Sequence, residues 1–255
     1  MPMAMAMDLL VANTTNYPEF LYRNDTDLDF FAARTNGPNA LYRNDGNWSF
    51  VEQEAGDLSG VRSASSMACW ADVDGEDAPD LYVGNLVDSS TVPQSEQRNY
   101  FYANQGNFEF VEIRSGHAAG SRAITYGTSA TDADNDGDLD LYVANWGNGD
   151  QDNVMYKNLS QGRWLTLRLE GSTSNRMAVG ASITLVTRYH GQTSRQSRRL
   201  NTTTGYASQN EPILHFGLGG AMSVESLSID WPSRRHDAFS DIGANQHLRI
   251  REGDT

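Results

Sequence analysis

The chain has 255 residues and a formal charge of −14, with 38% hydrophobic, 10% aromatic and only 20% charged residues. It holds enough apolar side chains for a core but no apolar run long enough for a membrane-spanning helix, and its many Gly, Asn, Ser, Thr and Asp residues suit short strands joined by turns. Residues 1–159 sum to −17 and residues 160–255 to +3, which predicts two units, 1–160 and 161–255. The acidic unit argues against nucleic-acid binding, since phosphate contacts need Lys and Arg. Cys69 is the only cysteine, so an internal disulfide and a cysteine zinc site are excluded.

The opening Met1-Pro-Met-Ala-Met-Ala-Met-Asp8 lacks a basic segment, is broken at Asp8, and is not read as a signal peptide. A strand-like phrase then occurs three times, as Asp8-Leu-Leu-Val-Ala-Asn13, Asp80-Leu-Tyr-Val-Gly-Asn85 and Asp140-Leu-Tyr-Val-Ala-Asn145. A second phrase follows each copy, as Leu41-Tyr-Arg-Asn44, Phe101-Tyr-Ala-Asn104 and Met155-Tyr-Lys-Asn158. Strands are predicted over 66–71 and 126–131, each leading into an aspartate-rich loop and then a β-prone Leu-Tyr-Val segment. Four-stranded units of this length suggest propeller blades. About two and a half units are legible, which predicts either missing upstream blades or self-association through exposed blade edges. The long segments 14–40 and 86–99 are candidate contact loops.

The most specific signal is Asp132-Ala-Asp134-Asn-Asp136-Gly137-Asp138-Leu-Asp140. Calcium takes six to eight oxygens, and carboxylates at positions 1, 3 and 5 of a tight loop can converge on one ion. Gly137 permits the sharp turn, and Asp138 and Asp140 are expected to complete the shell. An EF-hand would need a bidentate Glu at position 12, where Val143 stands, so the loop is expected to join two strands. Asp72-Val-Asp74-Gly-Glu76-Asp77-Ala-Pro-Asp80 is a degraded copy. Its candidate ligands are Asp72, Asp74, Glu76 and Asp80, with Asp77 standing where the turn needs Gly and therefore facing a left-handed backbone.

Beyond residue 160 the pattern alternates, as in Trp164-Leu-Thr-Leu-Arg-Leu169, Ala181-Ser-Ile-Thr-Leu-Val186, Leu227-Ser-Ile-Asp-Trp231 and His247-Leu-Arg-Ile-Arg251. Half-buried strands of a β-sandwich-like domain are expected there. Gly217 and Gly219 are expected at turns, His215 in the core, and the basic run Arg195, Arg198, Arg199 on a solvated strand face. Lacking aspartate loops, this tail is expected to fold alone and to be indifferent to chelators.

The aspartate-loop phrases resemble FG-GAP/VCBS repeats. Residues Trp164 to Gly171, Ser174 to Arg176, Val179 to Ser182, Gly205 to Gln209, Leu214 to Gly219 and Trp231-Pro232 resemble the ASPIC/UnbV domain of cartilage acidic protein-like chains. The resemblance implies an all-β chain: an incomplete set of β-propeller-type blades followed by a β-sandwich-like domain. It also implies Ca2+ in the loops and an extracellular or cell-surface location. The expected function is a calcium-binding adhesion or interaction module for a protein or glycan ligand, not an enzyme. The alternative is a polysaccharide lyase or hydrolase on a calcium-stabilised propeller, although no Gly-x-Ser-x-Gly or His-Glu-x-x-His motif occurs.

Overall fold

The computed structural model describes residues 7–13, 29–35, 37–47, 49–88, 95–96, 98–146, 151–201 and 208–254. Much of the two candidate contact loops lies outside these residues. The described chain is all β apart from one short 3-10 turn, Gly56–Leu58.

Among the described residues the acidic half forms three small sheets of three or four strands and two two-stranded ribbons. The second is the most regular, with strands Ser65–Ala71, Asp80–Asn85, Tyr100–Asn104 and Phe110–Glu112 paired antiparallel in chain order. Asp80–Asn85 is buried along its whole length, because a neighbouring sheet covers each face. Leu81 and Val83 pack with Phe31, Leu41 and Tyr102, while Tyr82 and Cys69 pack with Ala130, Leu141 and Val143 of the third sheet. Alternate residues of one strand thus feed two different cores, as the two-residue side-chain period of a strand requires. The third sheet is Thr125–Thr131, Asp140–Asn145 and Val154–Tyr156.

The first sheet corrects one expectation. The place that Asp80–Asn85 and Asp140–Asn145 hold, second in their sheets, belongs here to Asp29–Arg34, not to Asp8–Asn13. Phe30 and Phe31 face Tyr42 and Leu41, as Tyr82 and Leu81 face Phe101 and Tyr102. Met7–Asn13 instead lies parallel along the outer edge of Asp29–Arg34.

A polar latch repeats in each sheet, and the Asn at its end turns the chain by accepting through Oδ1 from the N–H two residues on, Gly46, Gly106 or Ser160. Asp29, Asp80 and Asp140 each accept through Oδ1 from the backbone N–H of Asn44, Asn104 and Asn158, at 2.8, 3.0 and 2.8 Å. A second latch ties sheet to sheet. The Asn39 amide donates to Ser65 Oγ and the Asn99 amide to Thr125 Oγ1, both at 2.8 Å. Those hydroxyls in turn donate to Asn85 and Asn145 at 2.8 and 2.9 Å. These groups are mostly buried, where an unpaired polar atom costs about 1–3 kcal/mol, so the latches fix the spacing of neighbouring sheets.

The tail is a sandwich of two sheets. Arg163–Glu170 pairs with Leu214–Gly219 on one side and, in parallel, with Gln246–Arg251 on the other. Ser182–Tyr189 is flanked by Gln192–Arg199 and Ser223–Asp230, with His236–Gly243 at the edge. One core joins the sheets, with Leu165, Leu167, Ile183, Leu185, Phe216 and Leu227 among its fully buried members. Gly217 lies inside a strand rather than at a turn, whereas Gly219 ends that strand with φ +52°. The alternation read from the sequence is thus the pattern that points one face of each strand into this core.

The two halves touch extensively. Ser208–Glu211 runs along the otherwise free edge of Thr125–Thr131. Thr128 and Ala130 donate their N–H groups to Ser208 Oγ (3.0 Å) and Asn210 Oδ1 (2.9 Å). Thr131 Oγ1 donates to Glu211 at 2.6 Å. This covers an edge strand that would otherwise template pairing with another chain.

Candidate metal centre

Asp132, Asp134 and Asp136 each present a carboxylate oxygen within 4.8 Å of the others, the one such group of potential metal ligands among the described residues. Three backbone contacts bring them together. Gly137 N–H donates to Asp132 Oδ2 (3.1 Å), Asp138 N–H to Asp136 Oδ1 (3.2 Å) and Ala133 N–H to Asp140 Oδ2 (3.1 Å). Gly137 has φ +94° and Asn135 +60°, so the loop turns through two left-handed residues, which Gly and Asn tolerate best.

Asp140 has both oxygens engaged by backbone N–H groups, from Ala133 and Asn158. It therefore closes the loop. Asp138 is buried beside Ser160 and stands outside the converging three. Asp132 Oδ1 is buried and has no partner. The Lys157 ammonium bonds Asp134 and lies 3.4 Å from Asp136, holding the Asp134 carboxyl below its ordinary value. Burial pushes the Asp132 carboxyl up. Three converging carboxylates, an orphaned buried oxygen and a lysine standing in as the cation fit a hard, oxygen-seeking ion such as calcium. When bound, that ion supplies charge compensation to the loop. Lys157 was not singled out from the sequence, although it falls within the recurring Met155-Tyr-Lys-Asn158 phrase.

The first loop keeps the same backbone. Gly75 and Asp77 have φ of +74° and +79°, at the positions of Asn135 and Gly137, so Asp77 adopts the left-handed conformation that the missing Gly predicts. Asp80 accepts from Val73 N–H (3.0 Å) and Asn104 N–H (3.0 Å), closing this loop as Asp140 closes the other. Burial, then the neighbouring Asp74, pushes the Asp80 carboxyl up to about 8. Burial pushes Asp72 up to about 6. Asp72 Oδ1 is buried without a partner, while Asp74 caps the Glu76 N–H at 3.1 Å and Glu76 is exposed. Asp72, Asp74 and Glu76 do not form a converging trio among the described residues.

The tail clamps both loops, a contact unread in the sequence. Gly217 N–H donates to Asp72 Oδ2 and Gly219 N–H to Gly75 O, both at 3.0 Å. Gln196 Nε2 donates to Asp77 Oδ1 (3.0 Å) and Arg198 to Asp77 O (3.1 Å). Arg198 also lies over the Phe216 ring, 5.5 Å from its centroid. Arg198 thus leaves the solvated face expected for the basic run and docks on the acidic half, while Arg195 stays exposed. His215 Nε2 lies 2.6 Å from Gly137 O. A carbonyl only accepts, so Nε2 carries the proton. Burial pushes the His215 imidazole down to about 4, so the ring is neutral at pH 7.

The loops differ in a testable way. Replacing Asp132 with Ala should abolish most of the calcium-dependent rise in melting temperature, and Asp72→Ala should remove less of it. At free calcium about 100 times Kd, binding to the folded state adds about 2.7 kcal/mol. Thermal denaturation of both variants with calcium and with chelator checks the order, and a larger loss in Asp72→Ala would reverse it.

A family model described as FG-GAP-like repeat matches residues 22–83, spanning the Asp29–Arg34 strand and the first aspartate loop. One described as ASPIC and UnbV matches residues 171–255, within the sandwich. A search of curated proteins finds no match to the chain.

Proposed function

We propose that this chain, an FG-GAP-like repeat protein with an ASPIC/UnbV domain, is a calcium-binding extracellular module that recognises a protein or glycan ligand and does no chemistry of its own. The convergence of Asp132, Asp134 and Asp136, the last two holding a lysine ammonium, carries the calcium part. Repeats of this kind are generally extracellular, and among the described residues no helix is long and apolar enough to cross a membrane.

A bare face supports the recognition part. Tyr82 is 1% exposed because the third sheet covers it, whereas Tyr142, at the matching place in the third sheet, is 37% exposed. Beside it, Met155 is 48% and Trp146 69% exposed. Exposed apolar side chains such as the cross-strand pair Tyr142 and Met155 suit a contact surface. The loop carboxylates are occupied in closing turns and gathering a cation, which favours binding over acid–base catalysis.

A glycan array with and without EDTA, run beside a lyase assay on acidic polysaccharides, separates the two classes. Calcium-dependent binding without turnover is expected. Calcium-dependent cleavage of a polysaccharide would replace this reading with an enzymatic one.

A further inference from the structure

We propose that Lys157 is a built-in competitor for calcium: its ammonium fills the Asp132–Asp140 loop in the metal-free chain and leaves it when the ion binds. The inference rests on the calcium reading of that loop and adds what sets its affinity.

The Lys157 ammonium bonds Asp134 and lies 3.4 Å from an Asp136 oxygen. Both residues belong to the trio of converging carboxylates. Calcium bonds its oxygens at about 2.3–2.6 Å, so an ion shared by the three would stand against the ammonium that already holds two of them. Like charges repel strongly at such range. The two cations therefore exclude one another.

The backbone on either side of Lys157 is pinned. Tyr156 pairs with Leu141, and the Asn158 N–H donates to Asp140 at 2.8 Å. The loop carboxylates have their own support, Asp132 from the Gly137 N–H and Asp136 from the Asp138 N–H. Exchange then needs only the lysine side chain to swing, and that side chain is 53% exposed, with solvent to receive it. Lysine suits the task, being a compact charge on a flexible four-carbon stem, whereas arginine grips a carboxylate with a planar fork. Lys157 is the only lysine in the chain; its other formally cationic residues are all arginine.

The repeats supply an internal comparison. Tyr42, Tyr102 and Tyr156 stand opposite Phe30, Leu81 and Leu141, so Arg43, Ala103 and Lys157 hold matching places. Arg43 turns to Asp45 at 2.6 Å, and Ala103 carries no charge. Among the described residues, the one loop whose carboxylates converge is the one with a lysine at this place. A loop held by lysine about nine-tenths of the time weakens calcium about tenfold, since only the open fraction binds.

Calorimetric titration of calcium into the full chain and into Lys157→Met tests it, with Arg43→Met as a control that removes a charge elsewhere. Lys157→Met should bind calcium about tenfold more tightly than wild type, and Arg43→Met should match wild type. Acetylation of the Lys157 amine in wild type, read by mass spectrometry of the peptide that holds it, is a second readout that needs no variant and that simple charge repulsion leaves unmoved. Lys157 should react faster in saturating calcium than in EDTA. Beside a saturable wild-type isotherm, equal or weaker binding by Lys157→Met, or an acetylation rate that calcium does not raise, would overturn the exchange and leave the calcium site standing. Binding by Lys157→Met alone would support it, with the lysine the stronger cation. No saturable binding by either chain would overturn the calcium reading, and the exchange with it.

Discussion

Replacing Glu252 with Ala should cost the tail about 4 kcal/mol, near the top of the range for single substitutions. The side chain is 5% exposed and gathers the turn after Arg163–Glu170. It accepts from the N–H groups of Ser172, Thr173 and Ser174 at 2.8, 2.7 and 2.7 Å, and from the hydroxyls of Ser174 and Ser233. Removing the carboxylate deletes all these bonds and leaves the half-buried Ser174 and Ser233 donors short of a partner. Burial acts to raise the Glu252 carboxyl, but the bonds from Ser233, Ser174, Thr173 and Ser172 outweigh it and hold the group at about 2, below the ordinary 4.5. A depressed folded-state value means that the stabilisation is complete above about 4.5 and drains away as pH falls through about 2. Urea melts of wild type and Glu252→Ala at pH 7 and pH 3 should show the gap between them narrowing at the lower pH. A gap that stays constant or widens with acid would refute the ionised role.

Gly137→Ala should be as damaging, for a different reason. A Cβ there would meet Trp164 Nε1 at 1.8 Å and Cε2 at 1.9 Å, and the backbone sits at φ +94°. Trp164 is held in the sandwich strand Arg163–Glu170 and lies tilted against His247, ring centroids 4.6 Å apart, so the ring has little room to yield. The loop must move, taking with it the carbonyl that accepts from His215 and the N–H that orients Asp132. Loss of about 4 kcal/mol or more, together with weakened calcium binding, is expected. Gly106→Ala is the control, since Gly106 has φ +80° but nothing within 4 Å of the added methyl. It should cost only the backbone term, about 1 kcal/mol. Equal melting temperatures for the two variants would mean that the Trp164 contact carries no weight.

The loops and the alternating strands were legible because their causes are local. An Asp-rich turn needs left-handed residues at set places, and Asp77 declared itself by standing where Gly is needed. A sandwich strand shows its buried face at every second residue, as Ser182–Tyr189 does. The Asp29–Arg34 strand was hidden because it replaces Leu-Tyr-Val with Phe-Phe-Ala. Its identity lies in Asp29, which latches Asn44 as Asp80 latches Asn104, and pairing each Asp with a later Asn could have found it. The docking of the tail had no such local signal. Asp72 and Gly217 are 145 positions apart, and Gly217 is small because the Gly75 backbone would lie 2.6 Å from a Cβ there. Sequence alone presents that Gly as a turn.

Docking also changes what chelation should do. A tail without loops of its own was expected to ignore EDTA, yet it touches both loops through Gly217, Gly219, Gln196, Arg198 and His215. Loop occupancy and the near-ultraviolet signal of Trp164 should therefore change together.

Calorimetric titration of calcium into the metal-stripped wild-type chain and into Asp132→Ala reads the central claim most directly. The account predicts saturable binding by wild type at about 10⁻³ M or tighter, the range of extracellular calcium modules, with the tightest site absent from Asp132→Ala. A wild-type chain with no saturable calcium binding, or an Asp132→Ala isotherm that matches wild type, would contradict it.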